Sequence, residues 1–373
     1  MGWGAGGQRP ELGELPRARP PRAAWADRLL AELGGAVDAT ILCAAAVVVE
    51  RALIPTAADL AELRASSEPL LDPALHAAPR RFFAFLDEPA PAPRVETRTV
   101  RAIAGGRVLE RRLRSAYRPY VGAEPKRPSG PVLLEHWMHE RGRARATALL
   151  LHGFGMGRPR LDAAALLAPR WFEAGLDVAL LVLPHHGART PVEARLSGQA
   201  FAVPHVARLA EAVREAIHDV ALSARWLREA SDAPVGLLGL SLGGYLTALA
   251  AGLLDDLAFA VPMAAPVCMG DLAWRFFRRT KHARAEGALT AFELRRSFRV
   301  HSPLAHPLRI ARERALVVAG RGDRVVPASH AIALARHWGG IPVHWFAGSH
   351  LAPFGRAGVA DAVTAHLRRL DVL

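Results

Sequence analysis

The residues with the clearest chemical signal are Gly239-Leu-Ser241-Leu-Gly243. The apolar run Val235 to Leu238 leads into them, and the helix-like Leu246 to Ala251 follows. A G-x-S-x-G between a strand and a helix reads as a nucleophile elbow. The turn must be sharp enough to leave Ser241 alone at its tip, in a sparsely allowed backbone region. Side chains two residues before or after would collide there, so Gly239 and Gly243 fit, and Gly244 leaves further room for close packing. The helix start beyond it favours negative charge near the serine. A serine hydroxyl becomes a useful nucleophile only when a base takes its proton, and that base needs a carboxylate to orient it. Downstream, Ala319-Gly-Arg-Gly-Asp323 and Ala347-Gly-Ser-His350 each follow a predicted strand. Ser241, Asp323 and His350 therefore fall past three strand ends, at the sheet edge where such sites form.

Each position has a rival. Asp323 also suits a cap for the helix expected near Pro327. Asp271, past the predicted strand Leu257 to Val261, is the competing acid. His344 competes with His350 but lies inside a predicted strand and reads as a packed core histidine. In Leu183-Pro-His-His-Gly-Ala-Arg189, His185 and His186 stand at the same edge. They read as substrate-binding residues or holders of a neighbouring loop, against two loop histidines satisfied by backbone.

The elements that must position these groups alternate. Short apolar strands are expected at Thr147 to Leu151, Asp177 to Leu183, Val235 to Leu238, Leu257 to Val261, Ala315 to Val318 and Pro342 to Phe346. Helical patterns separate them, including Asp162 to Gly175 with a break at Pro169, and a long face from Val206 to Leu227. Strands apolar on both sides and separated by helices imply a mostly parallel, doubly wound α/β sheet. Ahead of it, Val95 to Ile103 and Arg107 to Tyr120 read as strands of a hairpin around Ala104-Gly-Gly106, and Pro131 to His139 as another. Residues 1–22 read as a flexible tail and 23–93 as an N-terminal helical extension packed on the main body. In that extension Leu29, Leu30, Leu33 and Val37 recur at helical spacing, and Ala57 to Arg64 and Arg80 to Leu86 suggest shorter helices. The main domain spans 94–373. Its interval 267–310 is too long for a structureless loop, so helices are expected there, as a small cap over the site carrying Trp274 among basic residues.

Here the chain resembles the α/β-hydrolase superfamily, over about residues 147–373. The resemblance rests on Leu151-His-Gly-Phe-Gly155, Gly239-Leu-Ser-Leu-Gly243, Gly322-Asp323 and Gly348-Ser-His350. It implies Ser241 as nucleophile, His350 as general base and then acid, and Asp323 as the orienting carboxylate. It also implies an oxyanion hole from the backbone N–H groups of Phe154 and Leu242, with His152 holding the oxyanion loop. The expected activity is hydrolysis of a carboxylic ester or thioester, with no metal or organic cofactor. The two-histidine form of the segment after Leu183 departs from the family's usual Asp-x-x-Gly and resembles a small subgroup. The reading from a different class is a catalytically silent hydrolase fold that binds a small ligand or a partner; the intact serine, acid, histidine and glycines argue against it.

Composition limits the rest. The 373 residues are 51% hydrophobic and carry a formal net charge of +13, from 48 Lys and Arg against 35 Asp and Glu. The bases are nearly all arginines spread along the chain, without a basic tail or nucleic-acid module, so nucleic acid is not the expected partner. Cys43 and Cys268 form no disulfide framework, and His136-Trp-Met-His139 lacks zinc-protease spacing. The N-terminus has no apolar core of signal-peptide length, and the run Ala39 to Val49 falls short of a membrane span. A cytoplasmic protein is expected, with peripheral contact to an anionic membrane as an option. Trp274 and its basic neighbours would suit an acyl chain joined to an anionic head.

Overall fold

The computed structural model describes residues 15, 18–52, 61–62, 64–89, 91–120, 130–140, 144–202, 205–278, 289–352 and 354–373. The side chains of 41–52 lie outside that description, as do residues 57–60 and 63 of the expected helix Ala57 to Arg64.

Nine strands form one sheet: β1 Val95–Ile103, β2 Gly106–Leu113, β3 Val132–His139, β4 Thr147–Leu151, β5 Asp177–Val182, β6 Val235–Leu240, β7 Ala260–Met263, β8 Val317–Gly320 and β9 Val343–Phe346. Their order is β1-β2-β3-β5-β4-β6-β7-β8-β9. The first three pair antiparallel, β3 joins β5 antiparallel, and every pair from β5 to β9 is parallel. The β1–β2 hairpin turns at Ala104-Gly105, with Gly105 at φ 74°. The second hairpin strand ends at Leu113, short of the expected Tyr120.

The helices are α1 Trp25–Ala52, α2 Pro73–Ala77, α3 Pro159–Ala165, α4 Ala168–Glu173, α5 Val206–Ser231, α6 Leu242–Ala251, α7 Met269–Phe277, α8 Ala291–Ser297, α9 Ala328–His337 and α10 Arg356–Arg369. The expected break at Pro169 falls two residues earlier. Leu167 takes a left-handed conformation (φ 58°) and Pro169 sits in the first turn of α4, where its missing N–H costs no hydrogen bond. The 3-10 helix Pro79–Asp87 covers the expected segment Arg80 to Leu86.

Alternate residues of the parallel strands build two cores. Leu149, Leu151, Leu181 and Leu237 face a cluster shared with α5, α6 and α9. Ala148, Leu150, Val178, Leu180 and Leu238 face a second one with α3, α4 and α10. With side chains of a strand pointing to opposite faces, this two-sided burial explains the unbroken apolar runs. Within the interval 267–310, Leu294, Phe298 and Val300 are buried in the first core, so the described part of that insertion is tied to the body.

Within residues 23–93, Leu70, Leu75, Phe82 and Phe83 are buried in the first core, whereas α1 meets the body without its large apolar residues. Trp25, Leu29, Leu33 and Val37 are exposed, whereas Ala31, Gly34, Gly35 and Asp38 are buried. Small residues let α1 approach closely. A Cβ on Gly34 would lie 3.0 Å from Ser349 Cβ, and one on Gly322 would overlap the Ala31 carbonyl oxygen. Close approach selects glycine at a cost to the helix of about 1 kcal/mol per residue relative to alanine. Among the described residues, no helix is long and apolar enough to cross a membrane.

Candidate active site

Ser241 is set by its own neighbourhood. It ends β6 and precedes α6 at φ 55°, ψ −113°, a conformation rarely taken by a residue with a side chain. Its N–H donates to Met263 O at 2.8 Å, and its carbonyl accepts from Tyr245 N at 2.8 Å. A Cβ on Gly239 would overlap the Gly243 carbonyl oxygen, and one on Gly243 would overlap that of Leu151. A Cβ on Gly244 would come within 2.6 Å of Met263 O. The three glycines are therefore steric requirements of a turn pressed against β4 and β7.

His350, on the loop after β9, brings the separate elements together. Its Nε2 lies 2.9 Å from Ser241 Oγ and its Nδ1 2.8 Å from Asp323 Oδ2. Nδ1 carries the proton donated to the carboxylate, which leaves Nε2 free to accept from the hydroxyl. Asp323 also turns its own loop, because Oδ1 accepts from Val325 N at 3.0 Å and Val326 N at 2.7 Å. Asp323 does not cap α9, which starts after Pro327 without a side-chain cap; one oxygen turns the loop and the other meets His350. The rival acid Asp271 starts α7 and pairs with Arg295 Nε at 2.5 Å. His344 lies on β9 as expected, but it is half-buried rather than packed in the core.

Burial disfavours the charged form of His350. The charge and hydrogen bond of Asp323, with the charge of Asp38, outweigh it and raise its pKa above the ordinary histidine value. The other histidines near the site go the opposite way. Burial, followed by the charge of His186, pushes His152 down to about 3. Burial and then Arg189 push His185 down to about 4, and burial is again the main cause for His186, also at about 4.

The loop after β4 closes the other side of the serine. A Cβ on Gly153 would lie 3.5 Å from Ser241 Cβ, and Phe154 is the next residue. His152 fixes this loop: Nδ1 donates to Gly153 O at 2.8 Å while Nε2 accepts from Leu183 N at 3.1 Å. Leu242 is the first residue of α6, so its N–H is among those a helix leaves without an intrahelical acceptor. His186 packs behind the loop, its ring 5.1 Å from His152 and 5.7 Å from Phe154 between centroids. His185 is held at φ 62°, with Nε2 3.9 Å from Glu215. Trp274 sits half-buried on α7 against the first core. Its neighbour Arg275 donates to Arg324 O at 3.2 Å, so α7 leans on the Asp323 loop. Among the described residues, no cluster of metal-ligating side chains is present.

Two solved structures share this architecture. Acetyl xylan esterase 1 from Thermoanaerobacterium sp. JW/SL YS485 superposes with a TM-score of 0.56 at 15% identity, over 86% of this chain and 99% of that one. An acetyl xylan esterase from Paenibacillus sp. R4 gives 0.55 at 14%, over 79% and 95%. The chain has the α/β-hydrolase fold. No protein-family profile matches this hydrolase-fold chain. The uncharacterized protein Rv2627c of Mycobacterium tuberculosis is 30% identical over 290 residues, 73% of this chain and 68% of that protein. The uncharacterized protein MT2702 of another strain of that species matches to the same extent.

One part of the site was not visible in the sequence. Asp38 of α1 is fully buried against the loops that carry His350 and Asp323. An aspartate in mid-helix, at the edge of the alanine- and valine-rich run Ala39 to Val49, gives no local sign of this. The adjacent Gly34-Gly35 inside a helical pattern was the available signal, since such glycines mark close packing.

Proposed function

We propose that this protein is a serine hydrolase that cleaves a carboxylic ester or thioester through an acyl-enzyme. The observation that carries this reading is the placement of His350 between Ser241 Oγ and Asp323 Oδ2, at 2.9 and 2.8 Å. His350 Nε2 takes the hydroxyl proton as Ser241 Oγ attacks the substrate carbonyl. The N–H groups of Phe154 and Leu242 receive the negative charge on the carbonyl oxygen. Loss of one such donor typically costs about 3 kcal/mol of transition-state stabilisation. The imidazolium, held by Asp323, then protonates the leaving oxygen or sulfur. Water attacks the acyl-enzyme by the same route in reverse order, with His350 again as base, and the serine is regenerated.

The proposed substrate class draws support from the surface beside the oxyanion loop. A cavity of about 710 Å³ is lined by Gly157, Arg158, Arg160, Leu161 and Gly187, among others. Two arginines beside an apolar side chain suit an anionic group on an otherwise apolar ester, such as an acyl chain with a charged head. Small-molecule esters of this kind are the proposed substrates.

Turnover of p-nitrophenyl esters of increasing chain length tests the reading, with Ser241→Ala as control. The expected result is a burst of nitrophenol equal to one enzyme equivalent, followed by slower turnover, with neither in the variant. Turnover that survives Ser241→Ala would overturn it.

A further inference from the structure

The N-terminal helix supplies a carboxylate to the back of the site. Asp38 accepts four hydrogen bonds, two on each oxygen. Oδ1 accepts from Ser349 Oγ and Leu351 N, both at 2.9 Å. Oδ2 accepts from His350 N and Arg324 N, both at 3.0 Å. Three of these donors flank or belong to His350, and the fourth is the residue after Asp323. Removing a carboxylate from water is costly unless hydrogen bonds replace the water. All four replacements here come from the loops that hold the base and the acid.

The helix is shaped for this contact. Gly34 and Gly35 bring α1 within reach of Ser349, Arg324 and Gly322, where any larger residue would be crowded. Two adjacent glycines weaken a helix interior, so their presence fits the close approach rather than the helix. Asp38 lies more than 280 residues before the loops it joins.

We propose that Asp38 is a positioning residue for the reaction: it locks the loops after β8 and β9 into the register that sets His350 between Asp323 and Ser241. This rests on the serine-hydrolase reading for its effect on rate. Its effect on His350 stands apart from that reading. The charged groups acting on His350 are Asp323 from the loop after β8 and Asp38 from α1. Arg324 lies beyond, its guanidinium 3.1 Å from Glu32. An uncharged side chain at position 38 removes one of the two charges that favour imidazolium.

The test uses the full-length protein and two substitutions. Asp38→Asn turns an amide NH2 toward two of the four donors and removes the charge. Its kcat is expected to fall roughly tenfold to a hundredfold, with KM little changed, as misplacement of a catalytic group predicts. The acid limb of kcat/KM and the NMR titration midpoint of the His350 ring should both move to lower pH. A purely structural role would leave that midpoint in place. Gly34→Ala keeps the charge and favours the helix, but its Cβ would press on Ser349 at 3.0 Å. Here kcat should fall roughly tenfold and the midpoint stay. Gly34→Ala therefore decides the matter if Asp38→Asn does not fold. Wild-type kcat in Gly34→Ala, or an unmoved His350 midpoint in Asp38→Asn, would overturn the proposal. If the unsubstituted protein turns over no ester, the hydrolase reading fails separately, and the His350 titration still decides the role of Asp38.

Discussion

The two halves of the site are built in opposite ways. On the nucleophile side, Ser241 is fixed by contacts within β4, β6, β7 and α6, and three glycines make the turn possible. On the base side, His350 and Asp323 sit on loops joined by hydrogen bonds to each other, Gly322 N to Gly348 O among them, and to Asp38. The first half is a matter of steric exclusion in a packed sheet. The second is a polar network anchored by a distant helix. Crowding should therefore break the first half through stability, and altered charge should break the second through rate.

The largest expected effect is on chemistry at the shared point. Ser241→Ala should lower kcat by roughly 10⁵-fold or more while leaving the fold intact. Single-turnover kinetics and circular dichroism check the two parts of that statement. Next comes Asp323→Asn, with a loss of roughly 10⁴-fold as the imidazole loses its tautomer and orientation. The comparison itself is sharpened by Gly243→Val. Its Cβ would overlap the Leu151 carbonyl oxygen, so denaturant unfolding should show a loss of about 3 kcal/mol or more. By contrast, Ser349→Ala removes one of the four donors to Asp38. It should cost about 1 kcal/mol of stability and a several-fold drop in kcat. Equal stability losses in these last two variants would erase the distinction between the halves. The smallest effect is expected from paired Arg158→Ala and Arg160→Ala changes, which should raise KM for anionic esters and leave neutral esters unaffected.

The pH dependence has a definite sign. His350 must be neutral to accept the serine proton, so kcat/KM falls as pH drops through its pKa. That pKa is raised, with Asp323 and Asp38 outweighing burial. The acid limb should therefore lie above the ordinary histidine value of about 6.5. A limb at or below that value would contradict the electrostatic account.

The legibility of the sequence follows the same division. The parallel strands were readable because burial on both faces leaves continuous apolar runs, as in Thr147 to Leu151. Their ends shifted where flanking apolar residues belong to loops: β7 begins at Ala260 rather than Leu257, and β8 at Val317 rather than Ala315. Ser241, Asp323 and His350 could be located because each follows a strand end with small residues around it. The packing face of α1 could not. Leu29, Leu33 and Val37 have the spacing of a buried stripe, yet Ala31, Gly34, Gly35 and Asp38 make the contact. Close helix approach and hydrogen bonding selected that face, and hydrophobic periodicity carries no record of either. Likewise, nothing local distinguishes an aspartate that accepts four buried hydrogen bonds from one that faces solvent.

The central claim is that Ser241 is an activated nucleophile. Intact-mass analysis after treatment with a fluorophosphonate probe tests it most directly, with peptide mapping and Ser241→Ala alongside. One adduct per chain, mapped to Ser241 and absent from the variant, is the expected result. A folded protein that stays unmodified, or one modified elsewhere to the same extent in both forms, would contradict the account.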